Sequence, residues 1–376
     1  MSSKYDVYSE DYDINIFDYL KKAPLQPTKE EYTKLKEWDK TNHVLSFSAD
    51  EFRKEENKKL NRYSNIFPYD YNRIRFKTQN NKSDYINGSY ISCPNKRTLT
   101  CNGLPIRDGR NELLHRIKYD NITFLATQGP LPHTCEHHWQ AVYDNDVDVI
   151  IMLTKLKEGE PPKVKVKCEK YWPSKKDQCQ FNPFNRFGRF EILNVEEEEV
   201  RPNLIKNTLY LMDCDSRDIA SEKVVYHLQY IGWPDFGAPD DTADIINLVK
   251  DVREMIQNSR IGNKQKQFTI LTHCSAGVGR TGTFIALYKL MEEMEDNFVA
   301  LFMKQPEIKK KASLEKQNVI NIFKTVLSLR ARRVEMVQSY PQYKYLYACV
   351  FAHLQEVQRL LSMVEDYVSI QSLDWT

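Results

Sequence analysis

Long apolar runs are missing from this chain, and so is any excess of one charge. Its longest apolar stretches, such as Val149 to Leu153, have the length of a buried strand and fall far short of a bilayer span. Fifty-four Lys and Arg against fifty-two Asp and Glu leave a net charge of +2, which argues against bulk binding to nucleic acid or a membrane surface. Any anion must be recognised by a local arrangement. The eight cysteines contain no CxxC pair, so neither a disulfide scaffold nor a zinc ribbon is expected, and free thiols imply a reducing compartment. The opening residues, MSSKYDVYSEDYD, are polar and acidic where a secretory signal would be apolar. These absences predict a cytoplasmic protein, with the nucleus also open to it.

What is present reads as a mixed α/β protein: a highly twisted mixed sheet flanked by helices. Residues 1–26 carry scattered tyrosines and acids without periodicity and read as a loosely ordered tail; 27–364 form one catalytic unit, and 365–376 a second tail. Thr28 with Glu31, and Ser48 with Glu51, fit the capping box of a helix start. Strand patterns cover residues 73–76, 84–92, 123–127, 149–154, 164–168, 190–194, 208–213, 223–230 and 268–273, and helical patterns 135–145, 242–257, 282–295, 314–332 and 342–364. Polar stretches at 94–121, 173–187 and 303–311 look like insertions, and Glu196 to Glu199 like a solvated face.

The chemistry concentrates where an apolar strand, Thr269 to His273, runs into Cys274, then Ser275-Ala-Gly-Val-Gly279, then Arg280 at the head of a helix. Gly277 and Gly279 let main-chain amides turn inward without a side-chain clash. Successive inward N–H groups, with the helix N-terminus behind them, make a nest for an anion. Arg280 can close the ring with a planar fork on two phosphate oxygens. A helix N-terminus with nearby cations lowers a thiol from about 8.5 to roughly 3.5–7.5. Cys274 is therefore expected to be a thiolate nucleophile.

The run His273-Cys-Ser-Ala-Gly-Val-Gly-Arg-Thr-Gly282 resembles the signature of the tyrosine-specific protein tyrosine phosphatases. The likeness continues through Asn61-Arg-Tyr63, Asp84-Tyr-Ile-Asn87, Thr127-Gln-Gly-Pro130, Lys167-Cys168 with Tyr171-Trp-Pro173, Trp233-Pro-Asp-Phe-Gly237, and Val337-Gln338 with Gln342. The resemblance implies the family's fold, with the cysteine loop at a strand-to-helix junction, and hydrolysis of phosphotyrosine through a cysteinyl-phosphate. It makes Asp235 the general acid on a mobile lid with Phe236, and Arg280 the clamp on the transferring group. Ser275, Ala276, Gly277, Val278 and Gly279 supply amides. Thr281 assists departure of the sulfur, His273 holds the loop, and Gln342, with Gln338 near it, positions the hydrolytic water. Lys167 pairs with the lid aspartate, Tyr63 walls a deep cleft, and Asn65 bonds the substrate backbone.

Departures from the pattern qualify the expectation. Ser64 stands where some members carry a basic residue, so that position gives no preference for acidic peptides. Glu335 replaces a glycine beside a second phosphate pocket whose Arg330 is present, and disfavours a second phosphate there. Glu158 and Glu160 both qualify as the brace of Arg280. His133, Cys135, His137 and His138 lie close in sequence, but no second ligand pair accompanies them, and the chemistry needs no metal or cofactor. Three rivals stay open: an inositol-lipid or Ser/Thr phosphatase, a catalytically dead phosphotyrosine-binding module, and a sulfur-transfer enzyme. The Lys- and Asn-rich composition resembles a soluble, non-receptor fungal member. Its expected partners are phosphotyrosine proteins, including tyrosine-phosphorylated kinases, met by a monomer without nucleic acid or membrane.

Overall fold

The computed structural model describes residues 12–15, 26–45, 47–76, 83–92, 100–101, 104–105, 122–175, 184–215, 222–234, 237–259, 267–303 and 319–373. Its main sheet has nine strands among these residues: β1 Arg73–Arg75, β2 Tyr85–Ser92, β3 Ile122–Thr127, β4 Val149–Met152, β5 Asn185–Phe187, β6 Phe190–Arg201, β7 Leu204–Asp213, β8 Lys223–Tyr230 and β9 Phe268–His273. They lie in the order β5-β6-β7-β8-β4-β9-β3-β2-β1. The contacts β8–β4, β4–β9 and β9–β3 are parallel, and the flanking contacts antiparallel.

The central strands are apolar without alternation because both faces are covered. Val149 and Ile151 of β4 enter one core and Ile150 and Met152 the other, and β9 splits Ile270 and Leu271 the same way. The helices are α1 Lys29–Leu45, α2 Cys135–Asp144, α3 Ala243–Ser259, α4 Gly279–Met303, α5 Ile322–Arg330 and α6 Tyr340–Leu373. The first core lies against α1 and α3 to α6; the second packs α2 around Trp139 and Tyr171. Phe284 to Leu287 of α4 are fully buried, as befits a stretch of helix that is apolar on every side. No helix among the described residues is long and apolar enough to cross a membrane.

Several elements differ from the sequence pattern, each for a local reason. Of the expected helix 314–332, residues 314–318 lie outside the described set, and the described helix runs Ile322–Arg330, capped by the Asn321 side chain, which accepts from Lys324 N at 2.7 Å. The preceding Val319–Ile320 is a short strand paired with Ile14–Asn15, so residues 12–15 of the expected tail are docked on the body. Thr28 Oγ1 does cap Glu31 N at 3.0 Å. The Ser48 box does not form: the Asp70 carboxylate accepts from Asp50 N and Glu51 N instead. Strand β6 runs on through the glutamate cluster to Arg201, its outer half exposed beyond the core, where apolar alternation gives no signal. Helix α6 passes the expected boundary at 364 and reaches Leu373, with no glycine or proline after Pro341 to stop it. In the 94–121 insertion, Thr100–Cys101 pairs with Leu104–Pro105; residues 176–183 and 304–311 of the other insertions lie outside the described set.

Candidate active site

Strand β9 ends at His273 and α4 starts at Gly279, so Cys274 to Val278 form a loop at the carboxyl ends of the parallel strands, where open α/β sheets bind ligands. Every carbonyl of that loop is taken from behind. Cys274 O accepts from His273 Nδ1 at 3.1 Å, Ser275 O from Gly129 N at 2.9 Å, Ala276 O from Arg333 Nη2 at 3.1 Å and Gly277 O from Arg333 Nε at 3.0 Å. Val278 O accepts from Gly282 N at 2.9 Å and Val337 N at 3.1 Å. In a planar trans peptide the next N–H points opposite to its C=O. Five carbonyls drawn away from the cleft therefore turn five successive N–H groups, Ser275 to Gly279, toward it. That is the anion nest, with Cys274 buried beneath.

Glycine is required where the loop meets its supports. Gly277 has φ +72°, and a Cβ there would lie 2.0 Å from Thr127 O. At Gly282 a Cβ would lie 2.4 Å from Val337 N, so α4 could not approach the 336–337 segment.

Arg280 is fixed as a fork. Its Nη1 donates to Glu158 Oε1 at 2.5 Å and its Nη2 to Glu158 Oε2 at 2.9 Å, with Leu153 O, Thr154 Oγ1 and Pro234 O as further acceptors. The brace is thus Glu158; Glu160 is exposed. Burial works against ionised Glu158, but the bonds and charge of Arg280, with Thr154 and Lys167, outweigh it and hold the carboxyl below its usual range. Lys167 Nζ lies 3.4 Å from Glu158 Oε2. Its expected partner Asp235, like Phe236, falls outside the described residues. The flanks of that segment are fixed: Trp233 is buried and donates to Gly237 O at 3.2 Å, and Gly237 has φ +87°.

Behind the loop runs a buried polar chain that fixes a tautomer. The Cys274 carbonyl can only accept, so His273 Nδ1 carries the proton and Nε2 accepts from Tyr171 OH at 2.6 Å. The Tyr171 oxygen then accepts from His227 Nε2 at 2.9 Å, and His227 Nδ1 accepts from Asn207 Nδ2 at 3.3 Å. Burial lowers His273 to about 4 and His227 to about 3, so both are neutral at pH 7. His273 positions the loop and lends no charge to the sulfur. His138 is also fully buried, its ring 4.3 Å from Tyr171, and its protonation is pushed well below the usual range by burial and by the other two imidazoles.

The remaining expected residues gather around the same loop. Tyr63 OH bonds Ser275 Oγ at 2.8 Å, and Ser275 Oγ reaches Lys167 O at 2.9 Å. Gln342 is buried against the loop, within 3.0 Å of where a Gly279 Cβ would stand. Thr281 Oγ1 is buried and has no hydrogen-bond partner among the described residues. Asn65 is exposed beside Tyr63, and Gln338 is exposed with Nε2 on Glu335 Oε2 at 2.8 Å. Arg330, by contrast, is 1% exposed and spent on Asp39 Oδ2 and the carbonyls of Met336 and Val337. Glu335 holds φ +57°, a left-handed conformation that favours glycine.

Sequence reasoning missed Arg333, which holds two of the five carbonyls and also donates to Asn87 Oδ1 at 2.7 Å. Burial pushes its guanidinium down to about 10 against the opposing pull of Tyr85 and Cys274, so it stays cationic. The available signal was a pair of arginines, Arg332-Arg333, closing an apolar helix. The Asn61, Asn87 and Gln128 motifs prove to be scaffold: Asn61 Oδ1 accepts from Tyr85 OH and Asn87 Nδ2, and Gln128 Oε1 accepts from Arg62 N.

Comparison with known proteins agrees with this geometry. The family model described as protein-tyrosine phosphatase matches residues 57–352. The human receptor-type tyrosine-protein phosphatase eta is 33% identical over 296 residues, which cover 78% of this chain and 17% of the receptor. Tyrosine-protein phosphatase 1 of Dictyostelium discoideum is 32% identical over 256 residues, 66% of this chain and 42% of that protein. The chain thus spans less than half the length of either curated relative. Among solved structures, the catalytic domain of human protein tyrosine phosphatase non-receptor type 18 superposes with a TM-score of 0.63 at 24% identity, covering 86% of this chain and 95% of that one. The loop, its brace and these likenesses lead to one assignment: the chain belongs to the protein-tyrosine phosphatase family.

Proposed function

We propose that this protein hydrolyses phosphotyrosine in proteins, with Cys274 as nucleophile. The observation that carries the reading is the outward capture of all five loop carbonyls, which leaves a preformed ring of donors around one sulfur, closed by a braced Arg280. Such a ring stabilises the equatorial oxygens of a transferring phosphoryl group without reorganising. The sulfur attacks phosphorus and the P–O bond to the tyrosine oxygen breaks, while Asp235 gives that oxygen its proton. Water placed by Gln342 then attacks phosphorus, Asp235 takes a proton from it, and the P–S bond breaks to release phosphate. The buried, unpartnered Thr281 hydroxyl is suited to bonding the departing sulfur. Lys167 steadies the lid aspartate, and Tyr63 walls a cleft deep enough for phosphotyrosine, with Phe236 closing it.

The Arg330 site takes no second phosphate, because its guanidinium is buried, with all three nitrogens already bonded to Asp39 and to the carbonyls of Met336 and Val337, and Glu335 guards it. We place the enzyme among soluble non-receptor members of the family, resembling fungal ones, acting as a monomer in the cytoplasm or nucleus on partners such as tyrosine-phosphorylated kinases. Initial rates on phosphotyrosyl, phosphoseryl and phosphoinositide substrates test the reading. Turnover confined to the first supports it, and equal rates on the other two contradict it.

A further inference from the structure

The brace Glu158 sits on a small hairpin, in which Lys157–Glu158 pairs antiparallel with Lys165–Val166. Five lysines, at 155, 157, 163, 165 and 167, fall within thirteen residues there, and Glu160 is the segment's single exposed carboxylate. Cross-strand partners share a face, with Cβ atoms about 4.5–5.5 Å apart. Glu158 is opposite Lys165, so Lys165 stands on the face whose carboxylate grips Arg280, and Lys163, whose N–H donates to Glu160 O at 2.7 Å, lies in the turn just before it. Lys157, opposite Val166, is on the other face. Lys163 and Lys165 are exposed, and no carboxylate among the described residues pairs with either. The adjoining Tyr63 segment offers no such charge at this rim. Ser64 and Asn65 are neutral, and the Arg62 guanidinium is occupied by the carbonyls of Gly129, Pro130 and Val166.

We infer that Lys163 and Lys165 form a docking rim for acidic residues that flank the phosphotyrosine in the substrate chain, so that substrate preference lies on the hairpin wall and not on the Tyr63 wall. The inference rests on the phosphotyrosine reading and names the substrate class within it. The hairpin is tied to the site it would serve: Lys167 N bonds Leu156 O at 2.8 Å, and Lys167 O receives Ser275 Oγ. The strand that carries the two ammonium groups is therefore anchored at its base to the cysteine loop that a substrate peptide must cross.

The test compares kcat/KM for two phosphotyrosyl peptides, one flanked by Asp and Glu and one by Ser and Ala, in the wild type, K163A/K165A and K157A. Two partly exposed charge contacts should favour the acidic peptide about fivefold at low salt, shrinking to less than about twofold at 0.5 M. K163A/K165A should erase the preference, while K157A keeps it. All three proteins should turn over p-nitrophenyl phosphate, which is too small to reach the hairpin, at the same rate. Equal kcat/KM for both peptides in the wild type, or a preference that survives K163A/K165A, would overturn the inference and leave the phosphatase reading standing. So would a loss of p-nitrophenyl phosphate turnover in K163A/K165A, or lysine-dependent sedimentation with phosphatidylserine vesicles without peptide discrimination. Failure of the wild type on every phosphotyrosyl substrate would instead sink the phosphatase reading itself.

Discussion

The two sides of the cleft are built on opposite plans. The cysteine loop is held from behind through every carbonyl, by His273, Gly129, Arg333, Gly282 and Val337. The hairpin rim, from Lys157 to Val166, is exposed along most of its length and anchored near its base by Glu158, Lys167 and the Arg62 bond to Val166 O. The first plan suits chemistry, where a misplaced donor weakens every transition-state contact at once. The second suits selection, where charge acts through solvent and can change without disturbing the centre. Catalytic power and substrate choice are thus separable in this molecule.

Substitutions should separate them. On the loop side, Cys274→Ser is expected to lower turnover by at least about 10⁴-fold, since nothing else supplies the nucleophile, while phosphopeptide binding persists. Residual activity near wild type would refute that. Asp235→Ala should slow turnover about 10²–10⁴-fold with little change in KM, as for loss of a general acid; an unchanged kcat would remove it from that role. Arg333→Lys keeps the charge but loses the fork. Leaving two buried carbonyls poorly satisfied should cost about 2–5 kcal/mol of stability and depress kcat with KM little altered. A thermal melt and a kcat superimposable on wild type would show that the carbonyl clamp is not what holds the nest.

A subtler test concerns the imidazoles behind the loop. An unfolded histidine titrates near 6.5, whereas His273 titrates at about 4 and His227 at about 3, and His138 is depressed as well. Below pH 6.5 the unfolded chain therefore binds more protons, so this stability is complete above that pH and lost as the pH falls. His138→Phe removes one such group and two unpartnered ring nitrogens. Relative to wild type it should gain about 1–2 kcal/mol at pH 5 beyond any difference at pH 7.5. Parallel stability–pH curves would contradict the neutral assignment of His138. The smallest effect belongs to the hairpin, where K163A/K165A should change only the response to acidic flanks and to salt.

How much of this could be read from the residues depends on distance along the chain. The loop was legible because Cys274, Gly277, Gly279 and Arg280 are neighbours whose spacing has one economical explanation. The central strands were legible because two buried faces force continuous apolar runs. Arg333 was not, and Glu158 could not be told from Glu160, since an arginine at the end of one helix and one of two glutamates in a lysine hairpin acquire their meaning only when packing brings them to the loop. The start of α5 went astray because Asn321 caps the helix inside a run whose apolar spacing still looks helical. Glu196 to Glu199 concealed the outer half of β6 because an exposed ribbon has no apolar face to announce it.

In the proposed reaction the ring of loop amides, with Arg280, makes the Cys274 sulfur the atom to which phosphate is transferred. Gln342→Ala should slow attack by water and let that species accumulate. Mixing the variant with a phosphotyrosyl peptide, quenching within milliseconds and locating the phosphate by mass spectrometry tests the claim directly. Stoichiometric phosphate is expected on Cys274, and none in Gln342→Ala/Cys274→Ser. Phosphate on another residue, or steady turnover with none on the protein, would contradict it.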